Sequence, residues 1–249
     1  MSNPTPLAGK VALVQGGSRG IGAAIVKRLV ADGASVAFTY VSSASKAEAL
    51  QDEILAGGGK AVAIKADSSD AQAVQGAVAK AAQVFGRIDI LINNAGVLAL
   101  GSVEDLPLED FDRTLAINVR SVFVASQAVL PHMGAGGRII NISSTNADRM
   151  PFAGGATYAM SKSALTGLVK GMARDLGPRK ITVNNVQPGP VDTDMNPADG
   201  EMAPGMLGMM ALDRYGTAEE IADFVAFLAS PQAGYITGAN LTIDGGFGA

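Results

Sequence analysis

Cysteine is absent from this 249-residue chain, which excludes disulfides, thiolate catalysis and thiolate metal sites together. Histidine is almost absent. The single His132 follows Pro131 after the apolar run Val122-Phe123-Val124 and reads as a residue at a helix end, so no metal site is expected. Charge is sparse: 17% of residues are Asp, Glu, Lys or Arg, the net charge is -4, and no stretch gathers enough Lys and Arg to follow a phosphate backbone. Nucleic acid is therefore not an expected partner, although a small anion could be held at one local site. A run of about eighteen apolar residues, as a membrane-crossing helix requires, is missing. Residues 1–10 have neither a basic start nor an apolar segment. A soluble, cytoplasmic protein without a membrane partner is the expectation. No repeat of fixed period appears, which excludes solenoids and propellers. The 31 glycines are scattered at turns and helix ends with no low-complexity tract.

Apolar residues, by contrast, are plentiful at 48%, and 249 residues suffice to bury a substantial core. They fall in short runs at residues 11–14, 36–40, 61–64, 88–92, 138–142 and 182–186, with a last one near 240–243. Segments of helical period lie between them. Capping residues mark helix starts at Ser68-Ser69-Asp70, before residues 71–85, and at Thr217 with Glu219-Glu220, before residues 221–228. This alternation predicts an α/β fold: a single Rossmann-type, doubly wound domain over residues 1–249, with a parallel sheet of about seven strands. Residues 190–212 break the pattern with three prolines, three glycines and Met195, Met202, Met206, Met209 and Met210. They read either as a mobile flap over an apolar substrate or as a helical face packed on the core.

After the first run comes Gln15-Gly16-Gly17-Ser18-Arg19-Gly20-Ile21-Gly22, in which Gly16, Gly20 and Gly22 lie between a strand and a helix. Main-chain amides there can face a pyrophosphate, and the plain alternative is a glycine turn without a ligand. The second run ends at Tyr40-Val41-Ser42-Ser43, where an NAD site usually offers an acid to the ribose hydroxyls. No acid is there. Arg19, Lys46, Ser42 and Ser43 offer cations and donors to a 2'-phosphate, so NADP(H) is favoured over NAD(H), unless Arg19 is merely solvated and both are accepted. Farther on, Tyr158 and Lys162 stand four residues apart and share a helix face, where an ammonium favours the ionised phenol. Ser143-Ser144 closes the fifth run upstream.

Taken in order with Asp67, Asn93-Asn94-Ala95-Gly96, Asn118 and Pro188-Gly189 followed by Thr193, these residues resemble the short-chain dehydrogenase/reductase family from Lys10 to Gly246. The resemblance implies an NADPH-dependent, reversible reduction of a ketone or aldehyde to an alcohol. It makes Tyr158 the acid/base, Lys162 the group that lowers its pKa and holds the nicotinamide ribose, Ser144 the partner of the carbonyl, and Asn118 the support of a water relay. A ketone receiving hydride needs such donors around its oxygen and a proton source of matched pKa. The resemblance further implies cofactor contacts from Ser18, Ile21 and Tyr40, from Asp67, Ser68 and Asn94 on the adenine side, from Ala95 and Gly96, and from Pro188, Gly189, Val191 and Thr193 beside the nicotinamide. It also implies a homotetramer built partly from the helices carrying Asn118 and Tyr158. Taken singly, Asp67 and Ser68 could merely lead into a helix, Asn94-Ala95-Gly96 could merely turn, and Asn118 could merely cap or bend one.

Two departures carry expectations of their own. Gln15 stands where the family usually has Thr, so the hydrogen bond bracing the turn to the Asn94 region must be made differently or lost. Ser144 lies fourteen residues before Tyr158 where thirteen is common. Thr145 meets the shorter count, but Ser144 better fits the family's strand end and is preferred. The stretch from Gly16 to Val26, Asp148-Arg149-Met150-Pro151, Val186-Gln187-Pro188-Gly189-Pro190 and Gly246-Phe247-Gly248-Ala249 resemble a cyclic-di-GMP-binding, biofilm-dispersal branch of the family, which suggests a nucleotide-binding regulator as a second reading. A 3-oxoacyl-carrier-protein reductase is a third. It would need a basic patch, for which only Arg149 and Arg214 stand near the expected entrance. Met150, Phe152, Met195 and the methionine-rich segment suggest a pocket for a small apolar carbonyl or alcohol.

Overall fold

The computed structural model describes residues 5–249, so the reading of residues 1–10 lies partly outside the described residues. Seven strands form one sheet: β1 (Val11–Gln15), β2 (Ser35–Tyr40), β3 (Ala61–Lys65), β4 (Ile90–Asn93), β5 (Arg138–Ile142), β6 (Thr182–Pro188) and β7 (Asn240–Ile243). Every neighbouring pair is parallel, in the order β3-β2-β1-β4-β5-β6-β7. The expected run at 88–92 starts two residues late as a strand. Asp89 instead directs its carboxylate to the Val11 amide at 3.0 Å and toward Lys10 and Arg87.

Among the described residues, eight α-helices connect the strands: α1 (Gly20–Ala31), α2 (Ala44–Ala56), α3 (Ala71–Phe85), α4 (Leu108–Leu115), α5 (Ser121–Val129), α6 (Ala156–Leu176), α7 (Ala203–Leu207) and α8 (Ala218–Ala229). Successive strand residues face opposite sides, so each strand feeds two cores. Val14, Phe38, Ile92, Ile140 and Val186 pack with Ile25, Leu29 and Val225 of α1 and α8. Leu13, Leu91, Ile139 and Val183 pack with Val78, Val129 and Val169 of α3, α5 and α6. Both caps read from the sequence are made. Asp70 accepts from the Gln72 amide, and Thr217 and Glu220 satisfy each other's main chain at the start of α8.

Two features bear on the site. From Leu108 to His132 the chain is one 25-residue helical stretch, interrupted by a π-turn at Ala116–Arg120 and ending in a 3-10 turn at Leu130–His132. His132 thus does end a helix. Half of that stretch's most apolar window is buried inside the protein, as a helix packed on a sheet would be. In the methionine-rich segment, the two readings divide by residue. Met206 is buried with Ala203, Tyr215 and Phe247, and Met209 and Met210 pack against them, whereas Met195 and Met202 are exposed and line a cleft.

Candidate active site

Beyond the C-terminal ends of the strands lies a cleft of about 440 Å³, on the line where the chain's winding reverses between β1 and β4. Open parallel sheets bind ligands at this point. The glycine turn forms one wall. Gly16 and Gly20 have positive φ of 69° and 52°, which L side chains rarely adopt. A Cβ on Gly22 would lie 2.1 Å from the Gly16 oxygen and 2.6 Å from Asn94 Nδ2. Only glycine lets α1 start this close to the turn, where its first amides have no helical partner. Asn94 Nδ2 donates to the Gly16 oxygen at 2.8 Å and the Gln15 oxygen at 3.2 Å. Thr39 accepts the Gly16 amide on its hydroxyl and the Gly17 amide on its carbonyl, both at 2.9 Å. The brace left open by Gln15 is made differently: its Nε2 donates to Asn93 Oδ1 at 2.6 Å.

The opposite wall comes from the end of β5 and the start of α6. Lys162 is buried, and its Nζ donates to the Ile142 oxygen at 2.9 Å and lies 5.7 Å from the centre of the Tyr158 ring. Burial lowers its pKa from 10.5 to about 8. Tyr158 lines the cleft, and here the structure departs from the expected depression. Burial pushes the phenol above its ordinary value, and the nearby Ser144 hydroxyl, which itself donates to Asn146 Oδ1 at 3.2 Å, only partly offsets this. The ammonium is turned toward a main-chain carbonyl and is itself desolvated, which limits its pull on the phenol.

Ser144 and Thr145 separate clearly. Ser144 caps the short turn Thr145–Ala147, accepting the Asn146 amide at 3.1 Å, and its side chain faces the phenol. Thr145 donates to the Pro188 oxygen at 3.2 Å and points into β6. Asn118 sits in the π-turn, 1% exposed and behind the cleft wall. Its Oδ1 accepts the Val97 amide at 2.9 Å, while its Nδ2 donates to the Val97 oxygen and to Ser161 Oγ, both at 3.0 Å. It ties the loop after β4 to α6 and does not open onto the cleft.

The other residues expected to touch the cofactor line the cleft, except Lys46, which is exposed beside Asp194 and off the cleft wall. Ser18, Arg19, Ile21, Tyr40, Ser42 and Ser43 surround the glycine turn. Asp67 and Ser68 follow β3, and Asp67 accepts from the Ser69 amide, which holds its carboxyl below the usual range. Asn94, Ala95 and Gly96 follow β4, and Pro188, Gly189, Val191 and Thr193 follow β6. A Cβ on Gly189 would meet the Asp244 main chain at 2.8 Å. Met150 is a correction: it is not on the cleft wall, because its sulfur turns to Asn146 Nδ2 at 3.0 Å. Arg149 and Arg214 do not supply a free basic patch, since Arg149 holds the Phe247 and Ala249 carbonyls and Arg214 forms a two-pronged pair with Glu220. Leu98, Arg113 and Asp194 line the cleft without having been singled out, and Phe247 of the C-terminal Gly246-Phe247-Gly248-Ala249 run joins them. The first three have no motif of their own, and only the chain's path brings them there.

A sequence profile described as enoyl-(acyl carrier protein) reductase matches residues 16–248. A solved short-chain dehydrogenase/reductase from Serratia marcescens is 68% identical, with a TM-score of 0.97, covering 98% of this chain and 100% of its own. A short-chain dehydrogenase from Burkholderia cenocepacia, solved in complex with NADP, is 56% identical with a TM-score of 0.97 and the same coverage. The cyclic-di-GMP-binding biofilm dispersal mediator protein of Escherichia coli is 50% identical over 241 residues, 97% of this chain and 98% of that one.

Proposed function

The chain belongs to the short-chain dehydrogenase/reductase family of oxidoreductases, and from that premise we propose that it reversibly reduces a small apolar ketone or aldehyde to an alcohol with NADPH. The observation that carries this reading is that Ser144, Tyr158 and Lys162 stand on one wall of the cleft whose other wall is the glycine turn. That turn fits a pyrophosphate, because Gly16 and Gly20 hold positive φ without a Cβ and α1 begins there with its first amides unpartnered within the helix. Arg19, Ser42, Ser43 and Lys46 would take the 2'-phosphate, Asp67 and Asn94 the adenine side, and Val191 and Thr193 the nicotinamide side. When bound, this cofactor supplies the hydride. The NADP-bound Burkholderia relative supports the choice of cofactor.

In this reading the Ser144 hydroxyl and the Tyr158 phenol hold the substrate oxygen as it gains charge, and the phenol proton moves to it. A phenol raised by burial is protonated at neutral pH, which suits an acid in the reducing direction. The Lys162 ammonium beside the ring offsets the phenolate left behind. Asn118 acts by support: its amide is committed to Val97 and Ser161, so any water relay starts from the main chain at the bend it braces. Residues 190–212 act as a flap whose Met195 and Met202 meet the substrate. A single domain over residues 1–249, a cytoplasmic location and a homotetramer belong to the same reading.

The test is Tyr158→Phe, with carbonyl-dependent loss of NADPH absorbance measured over a panel of ketones and aldehydes. We expect the rate to fall by about 10²–10⁴-fold. A variant retaining the wild-type rate would overturn the mechanism. One second reading is favoured by the Escherichia coli relative, a cyclic-di-GMP-binding regulator. It requires saturable calorimetric binding of cyclic di-GMP, and absence of heat at micromolar protein would remove it. The carrier-protein reductase reading has less of a basic patch than it needs, because Arg214 is paired with Glu220 and Arg149 is turned to main-chain carbonyls.

A further inference from the structure

Asp194 follows Thr193 on the chain leaving β6, and its carboxylate reaches the far lip of the cleft. Its Oδ2 lies 2.9 Å from Lys46 Nζ and 3.9 Å from a terminal nitrogen of Arg19. The three residues come from separate segments: Arg19 precedes α1, Lys46 sits in the first turn of α2, and Asp194 is 148 residues beyond Lys46. Among the described residues neither cation has another ion pair. Both are the cations that the NADPH reading gives to the adenosine 2'-phosphate.

We propose that Asp194 sets how strongly the chain discriminates 2'-phosphorylated from unphosphorylated adenosine, by competing with the phosphate for Arg19 and Lys46. The inference rests on the NADPH reading of those two residues. A phosphate monoester brings about -1.5 to -2 charges to cations that already face a carboxylate. The two anions share the same partners and repel each other, so Asp194 weakens binding of the phosphorylated ligand. An adenosine without that phosphate asks nothing of the pair and is indifferent to it. The Lys46 hydrogen bond and charge keep the carboxylate ionised at neutral pH. All three side chains are more than half exposed, so the effect is screened, amounts to at most about fivefold, and depends on salt. Competition also fixes the sign. A carboxylate that merely held the cations ready for phosphate would give the opposite result on removal.

The experiment is a calorimetric titration of adenosine 2',5'-bisphosphate and of AMP into the wild type, Asp194→Asn and Arg19→Ala, at low and at molar salt. Asp194 is exposed, so its amide variant is expected to fold, which circular dichroism checks. We expect Asp194→Asn to bind the bisphosphate about three- to fivefold more tightly, to bind AMP within about twofold of wild type, and to lose the gain at molar salt. Unchanged or weaker bisphosphate binding in Asp194→Asn, with Arg19→Ala still weakening it, overturns the role of Asp194. A wild type that does not prefer the bisphosphate over AMP, and is unaffected by Arg19→Ala, overturns the cofactor reading itself.

Discussion

Lys162 is held in a place that disfavours its charge. Burial lowers its pKa from 10.5 to about 8, a difference worth on the order of 3 kcal/mol. The unfolded chain keeps this proton up to about 10.5, whereas the folded chain releases it near 8. Between those values the unfolded state binds more protons, so stability rises with pH there, and the full penalty stands below about 8. Lys162→Met should therefore raise the urea midpoint at pH 7 while abolishing reduction, with the stability gain shrinking as pH rises from 8 to 10. A midpoint at pH 7 equal to or below that of wild type would reject the buried-charge penalty. The same value gives the wild-type rate profile: reduction should decline as pH rises through about 8, when the ammonium beside Tyr158 is lost. At this scale the sequence foresaw that the two side chains meet but not that burial would raise the phenol. An i to i+4 spacing brings two side chains together but does not tell how much water either retains.

At the scale of elements, the row of buried amides running across the sheet binds the site's strands together. Gln15 Nε2 donates to Asn93 Oδ1 at 2.6 Å, Asn93 Nδ2 to Asn141 Oδ1 at 2.8 Å, Asn141 Nδ2 to Asn185 Oδ1 at 2.9 Å, and Asn185 Nδ2 to Asn240 Oδ1 at 2.7 Å. These residues are register partners along β1, β4, β5, β6 and β7, so one head-to-tail chain crosses five parallel strands. Asn93 Nδ2 also lies 3.4 Å from Ser126 Oγ on α5, placing the row on the face that carries Asn118 and Tyr158. Breaking the middle leaves a buried donor on Asn93 and a buried acceptor on Asn185, each costing about 1–3 kcal/mol. Asn141→Ala should lower the unfolding free energy by about 3 kcal/mol in urea titration, and a loss below about 1 kcal/mol would show that the row is not coupled. The asparagines lie in or beside the apolar runs, but nothing in their spacing pairs them, because the pairing depends on strand register. Gln15 shows the same limit: the sequence flagged it as unusual, and only its neighbour on β4 shows what it binds.

For the whole molecule, the cleft exists because the winding reverses between β1 and β4, which leaves the ends of β4, β5 and β6 facing the glycine turn across a crevice. The proposed flap closes that crevice from the β6 side, with Met206 anchored beside Phe247 and Met195 left at the surface. Limited proteolysis should cut within residues 195–212 several times more slowly when NADPH is saturating, and equal cutting rates would argue against a lid. The sequence by itself determined the strands, the parallel sheet, the glycine turn and many of the residues on the cleft wall. These are local matters of side-chain period, capping and main-chain space, and they are written within a few residues of each other. Only the tertiary structure decided that Ser144 rather than Thr145 faces the phenol, that Asn118 lies behind the wall, that Met150 turns away, and that Asp194 meets Arg19 and Lys46. Those outcomes depend on which distant segments come within a few ångströms of one another, and that depends on the path of the whole chain rather than on any spacing along it.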